Sequence, residues 1–338
     1  MEEIFLDWLR VMPLAAIFGI IAASLYVLSR GADLLVDEAV ALSIRAGISK
    51  VIIGATIISI GTTLPEASVS VMSAISGDPE LALGNAVGSI ICDTGLILGL
   101  AALIGPIPLE PRIANRQGWI QLGSGLLLVL CSIPYSQPMS VFSAGGNLPR
   151  YAGIMFVLLL LLYLWVSIRW AKNTSESARH DETSSGECIS ILLKIALGIA
   201  LVLISSKILI PTVQETALRL SVPRGIIAAT LVAFGTSLPE FVTAITAVRK
   251  GYGEIALGNI IGADILNVLF VAGLSAAVTP GGLAASGEFF RLLFPAMLAI
   301  LAVFRIGIAL SDKTLTRPFG ALLLVIYLAT TVLSYVII

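Results

Sequence analysis

Gly61-Thr62-Thr63-Leu64-Pro65-Glu66 and Gly235-Thr236-Ser237-Leu238-Pro239-Glu240 each set a carboxylate and two hydroxyls beside a helix-breaking proline inside an apolar run. A charged group at bilayer depth costs about 2.5–3.5 kcal/mol even on lenient scales, so glutamates there mark an ion pathway or a buried partner. The same costly arrangement occurs twice, which makes accident a poor explanation.

The surroundings of these segments are those of a polytopic membrane protein. The chain has 338 residues, 57% of them hydrophobic and 12% charged, with a mean hydropathy of +1.02, and carries many runs long enough to span a bilayer. Its start, Met-Glu-Glu-Ile-Phe-Leu-Asp, is acidic where a secretory signal is basic, so the first apolar run is expected to be retained. A net charge of −1 without a basic patch speaks against a nucleic-acid partner. Cys92, Cys131 and Cys188 have no paired spacing, and His180 is the single histidine, which excludes a zinc cluster and a His-based catalytic triad. No cofactor and no enzymatic activity are expected.

Apolar windows read against turn signals predict ten spans: 12 to 44, 48 to 76, 80 to 104, 118 to 134, 151 to 171, 187 to 220, 222 to 249, 254 to 279, 287 to 309 and 316 to 337. The first and sixth exceed what a bilayer needs and end amphipathic, which implies tilting or extension past the surface. An offset of 174 residues relates Gly61 to Gly235, Gly84 to Gly258 and Asp93 to Asn267 without a gap. Two units of five spans enter from opposite sides because five is odd. The expected fold is therefore an all-α polytopic membrane protein, with ten transmembrane helices in two inverted five-helix repeats broken at the midplane. Residues 1–171 form the first repeat, 172–186 a linker and 187–338 the second. With the termini outside, inner connections hold twelve Lys and Arg residues against five in the outer ones, so the linker is expected to be cytoplasmic.

Pro65 and Pro239 have no amide hydrogen and should break their helices, with the carbonyls of Ser59 and Ala233 among those expected to be freed. Na⁺ and Ca²⁺ take oxygen from carboxylates, carbonyls and hydroxyls, and calcium needs six to eight such ligands. The third and eighth spans add Gly84-Asn85-Ala86-Val87-Gly88-Ser89 with Asp93, and Gly258-Asn259-Ile260-Ile261-Gly262-Ala263 with Asp264 and Asn267. Ser89 and Asp93 share a helix face, as do Ala263 and Asn267. Folding inverted halves together would gather Glu66, Asp93, Glu240 and Asn267 at one centre, ringed by Thr62, Thr63, Ser89, Thr236 and Ser237.

These segments resemble the alpha repeats of the sodium/calcium exchangers in the cation/calcium antiporter superfamily. The duplicated G-[ST]-[ST]-[LV]-P-E, each followed by G-N-x-x-G-[SA], carries the resemblance across nearly the whole chain. It implies that Glu66 and Glu240 are shared by calcium and sodium, and that Asp93 and Asn267 complete the metal centre. It further implies that Thr62, Thr63, Ser89, Thr236, Ser237 and the carbonyls of Ser59 and Ala233 serve sodium. Prokaryotic relatives often carry Asn in the first repeat and Asp in the second, so Asp93 and Asn267 have exchanged places. Ile90, Ala263 and Asp264 also depart from the family pattern, and Ala263 removes a hydroxyl from one sodium site.

The expected activity is antiport of Ca²⁺ against Na⁺ by alternating access, with the cations and the lipid bilayer as partners. The chain is expected to work as a monomer in a prokaryotic plasma membrane. Three clustered carboxylates would favour one calcium or several sodium ions and disfavour an empty site. The alternative is a divalent cation/H⁺ antiporter of the same superfamily. An intramembrane aspartyl protease is disfavoured because the offset pairs Asp93 with Asn267. Asn85 and Asn259 read equally as ion contacts or as braces, Asp264 as a brace, and Asp33, Asp37 and Glu38 as a solvated face.

Overall fold

The computed structural model describes residues 8–135, 138–175, 185–220, 233–311 and 313–337. Its helices are α1 (Leu14–Ala46), α2 (Lys50–Thr62), α3 (Leu64–Ile75), α4 (Pro79–Ile104), α5 (Pro111–Ser132) and α6 (Arg150–Ser175). They continue as α7 (Ser185–Arg219), α8 (Ala233–Gly235), α9 (Leu238–Arg249), α10 (Gly253–Val278), α11 (Phe289–Leu310) and α12 (Arg317–Ile337). Seven of these are long and apolar enough to cross a bilayer, and the bent pair α2–α3 makes an eighth, among the described residues.

Two expected spans fall outside that count. The fourth is α5, which starts at Pro111, seven residues before the apolar window, because proline suits a helix's first turn and Arg112 to Gln117 continue the helix. Its buried Gln117, Gln121 and Ser124 dilute the apolar signal while facing the protein. The seventh span, 222 to 249, is described only from Ala233, and most of the linker also lies outside the described residues.

The turns are set by local chemistry. Gly77 and Gly251, one offset apart, adopt φ of 94° and 80°, a left-handed region open to glycine. Asp78 then caps α4 by accepting from the Leu81 amide at 3.2 Å, a structural use of that carboxylate.

Loops of the two halves pair in short antiparallel strands at the two ends of the bundle. β1 (Ile107–Pro108) pairs with β4 (Thr314–Leu315), and β2 (Gly146–Leu148) pairs with β3 (Leu283–Ala285). At the β1–β4 end the Ser49 hydroxyl donates to Glu110 Oε1 at 2.6 Å. At the β2–β3 end Asn147 donates to the Gly281 carbonyl at 2.9 Å and Arg150 to the Ala277 carbonyl at 2.9 Å.

The core centres on α10, in which every residue from Gly253 to Leu266 except Glu254 is buried. It crosses α2 at backbone contact: a Cβ on Gly258 would meet the Val51 carbonyl oxygen at 2.2 Å, and one on Gly262 the Ala55 Cα at 2.6 Å. Small residues permit that approach. The long helices α1 and α7 pack along each other, with Gly198 against the backbone of Leu35.

Candidate cation-binding site

The helix break expected at Pro65 is a 45° bend between α2 and α3. Thr62 and Thr63 lie at the bend, and Glu66 sits in the first turn of α3, all buried. Glu240 occupies the first turn of α9 after the turn at Thr236 and Ser237, so each carboxylate stands at the positive end of a helix dipole. One expectation fails here. The Ser59 carbonyl is not freed, because it accepts from the Thr63 amide at 2.9 Å. Proline removes the donor to the residue four back, which is Gly61, not Ser59. Ala233 begins α8.

The hydrogen bonds cross between halves in matching pairs. Thr62 Oγ1 donates to Asn259 Oδ1 at 3.3 Å, and its mate Thr236 Oγ1 donates to Asn85 Oδ1 at 3.3 Å. Asn85 and Asn259 thus tie each broken helix to the opposite half. The symmetry ends at the amide nitrogens. Asn85 Nδ2 donates to Ser70 Oγ at 2.9 Å and to the Glu66 carbonyl at 3.4 Å, whereas Asn259 Nδ2 has no partner. The mate of Ser70 is Ala244, which supplies no acceptor.

Asp93 and Asn267 occupy π-helical turns, Ile91–Leu98 and Asn267–Ala272. Such turns recur at functional sites, and nothing in the hydrophobic periodicity marks them. The turn bearing Asp93 packs on α9, the helix of Glu240, and the turn bearing Asn267 packs on α3, the helix of Glu66. Glu66 is near enough to feel the charges of Glu240 and Asp93. Thr63 Oγ1 donates to Glu240 Oε1 at 3.5 Å. Both carboxylate oxygens of Glu66, both of Asp93, Glu240 Oε2, Asn267 Oδ1 and Ser237 Oγ are buried without a hydrogen-bond partner. Buried polar atoms are normally paired, and orphaned oxygens in this number suit a hard cation. Ser89 is buried in α4, while its mate Ala263 offers no oxygen. Among the described residues no three His, Cys, Asp or Glu side chains close into one metal-ligating cluster.

Asp264 is engaged through one oxygen only, its Oδ1 being buried without a partner like the oxygens above. Its Oδ2 accepts from Gln121 Nε2 at 2.6 Å and from the Thr94 hydroxyl, and Gln121 also donates to Thr94 Oγ1 at 3.1 Å. This brace joins α10, α4 and α5. Behind it the Tyr163 hydroxyl lies 3.2 Å from both the Ala55 carbonyl and Gln117 Oε1. Thr94, Gln117, Gln121 and Tyr163 escaped the sequence reading. The two glutamines, each a polar residue in an otherwise apolar span, were the available signal.

The acidic face of α1 reaches solvent, as expected, and is also paired. Lys250 Nζ lies 3.0 Å from Asp33 Oδ1 and 2.9 Å from Asp37 Oδ2, and Lys194 Nζ lies 2.9 Å from Glu38 Oε1. Burial lowers the Lys250 pKa, but hydrogen bonds to Asp37 and Asp33 outweigh it and hold the ammonium above its ordinary value.

Comparison with known proteins places this arrangement. The sodium/calcium exchanger MaX1 of Methanosarcina acetivorans is 30% identical, over 95% of this chain and 99% of its own. The inner membrane protein YrbG of Escherichia coli is 36% identical, over 80% of this chain and 82% of its own. A solved structure of the sodium-calcium exchanger NCX_Mj superposes with a TM-score of 0.80 at 24% identity, covering 95% of this chain and 99% of that one, which shows a shared fold. The family model described as sodium/calcium exchanger protein matches residues 16–169 and 190–336. The chain is a membrane transporter belonging to the sodium/calcium exchanger family.

Proposed function

We propose that this protein exchanges Ca²⁺ for Na⁺ by exposing one site alternately to the two sides of the membrane. Glu66, Asp93, Glu240 and Asn267 hold calcium, and Glu66 and Glu240 also serve sodium together with Thr62, Thr63, Ser89, Thr236 and Ser237. The carbonyl of Ala233 completes the sodium sites. The observation that carries the reading is the set of buried, unpartnered oxygens contributed by both halves. Three carboxylates there repel one another unless cations lie between them, which couples release of one ion to binding of the other.

The inverted plan of ten spans, with units 1–171 and 187–338, draws support from paired contacts. An exchange of halves turns the Thr62–Asn259 bond into the Thr236–Asn85 bond. It also carries β1–β4 onto β3–β2, strands that lie at opposite ends of the bundle. Lys and Arg crowd the β1–β4 end, so that end is the cytoplasmic one, with both termini outside. The long α1 and α7 move against the rest as a pair. The protein works as a monomer in a prokaryotic plasma membrane.

Exchange against protons is favoured by one feature, the missing hydroxyl at Ala263. Calcium uptake into proteoliposomes under an imposed Na⁺ gradient, compared with an imposed pH gradient, separates the two. Uptake driven by sodium and inhibited by external sodium is expected. Uptake driven by pH alone, with no sodium competition, overturns sodium coupling.

A further inference from the structure

A groove of about 260 Å³ runs between α5 and α6, lined by Ile120, Gly123, Leu127, Leu159 and Val166, with Leu269 as its floor. The two hydroxyls along it are already engaged: Ser124 donates to the Gln121 carbonyl at 2.8 Å, and Tyr163 faces Ala55 and Gln117. What remains is apolar surface. A Cβ built on Gly123 would meet nothing within 4 Å, so the groove is open at that point.

Arg116 and Arg169 lie one helical turn beyond the lining residues Ile120 and Val166, towards the same end of the groove. The Arg116 guanidinium carbon stacks 4.0 Å from the Trp170 ring centroid, and that of Arg169 stacks 4.3 Å from Trp165. Stacking uses the face of a guanidinium and leaves its N–H groups in plane, in the fork that suits a phosphate. The ion pairs among the described residues involve neither arginine. On α11, Arg305 stacks 4.5 Å from Trp119 of α5, with its Nε and Nη1 buried and without a partner. The exposed Trp119 and Trp165 mark this level as a membrane interface.

We propose that the α5–α6 groove binds one anionic phospholipid, its acyl chain over Gly123 and its phosphate on Arg116 and Arg169. Two guanidiniums outside the ion pairs of the described residues favour an anionic headgroup over one that carries its own cation. Leu269 lies in the same π turn as Asn267, so the bound chain packs against the back of the cation centre. In the orientation proposed above, the lipid belongs to the cytoplasmic leaflet.

Native mass spectrometry of the purified protein, offered equal phosphatidylglycerol and phosphatidylcholine, tests this. One phosphatidylglycerol is expected to be retained with a preference of about thirtyfold, as two basic contacts at a membrane surface imply. Arg116→Gln with Arg169→Gln should bring the preference close to one while a lipid still binds. Gly123→Leu should remove either lipid, and Val166→Phe repeats that block from the opposite wall should the first variant fail to fold. Equal retention of both lipids overturns the proposal, as does retention unchanged by both blocking variants. It also fails if inorganic phosphate displaces the lipid, which indicates a free-anion site. A dimer that falls apart in Gly123→Leu assigns the face to a second copy and overturns it too.

Discussion

Glu66 and Glu240 are equivalent in sequence but not in surroundings. Glu240 accepts a hydrogen bond from Thr63, whereas both oxygens of Glu66 are without one. Under the proposed function, removing the Glu66 charge should weaken ion binding while breaking no side-chain hydrogen bond. Glu66→Gln is expected to weaken calcium uptake by proteoliposomes roughly tenfold to a hundredfold, as loss of one charged ligand worth about 1.5–3 kcal/mol implies, while the protein stays folded. Uptake near the original level would remove Glu66 from the site. The asparagines differ in the other direction. Asn85 has three cross-contacts, through Ser70, the Glu66 carbonyl and Thr236, while Asn259 keeps one, to Thr62. Asn85→Leu should then lower thermal stability by about 1–3 kcal/mol, and Asn259→Leu by less, because its Nδ2 is unpaired already. Melting curves in the same detergent decide the ranking, and a larger loss at Asn259 contradicts it.

At the scale of the element, the crossing of α2 and α10 holds the two halves in contact. The Gly258 position leaves no room for a side chain, since the obstruction at 2.2 Å is backbone and cannot rotate away. Gly258→Ala is expected to cost about 3 kcal/mol or more, at the upper end for overpacking, with loss of monodisperse protein on size-exclusion chromatography. Gly123→Ala, on the open face of α5, should gain a few tenths of a kcal/mol up to about 1, as replacing glycine within a helix does. Equal behaviour of the two variants would mean that the helices separate more easily than their packing implies. The break at Pro65 was legible from the proline itself. The π turns under Asp93 and Asn267 were not, because they are selected by packing against α9 and α3 and not by any local residue.

For the whole molecule, Lys250 fastens the end of α9 to Asp33 and Asp37 of α1. Because its pKa is raised by folding, the stabilisation is fully present below the ordinary lysine value and disappears as pH rises through the folded-state value. The pair is partly exposed, so screening limits it to under about 1 kcal/mol. Lys250→Met should melt a few degrees below wild type at neutral pH, and the two should begin to converge above a pH of about 10.4 and meet only beyond the higher folded-state value; a gap that persists beyond that value rules out the ion pair as its cause. This contact was invisible in the sequence, where acidic residues on α1 and a lysine more than two hundred positions away carry no sign of each other. The repeat, the broken helices, the carboxylates and the membrane setting followed from sequence alone, because hydropathy, proline geometry and a constant offset are local or periodic properties. Tertiary structure decided which oxygens remain unpaired, how Asn85 and Asn259 tie each half to the other, and that Asp264 Oδ2 accepts from Thr94 and Gln121, because each depends on distances between segments that no linear pattern encodes.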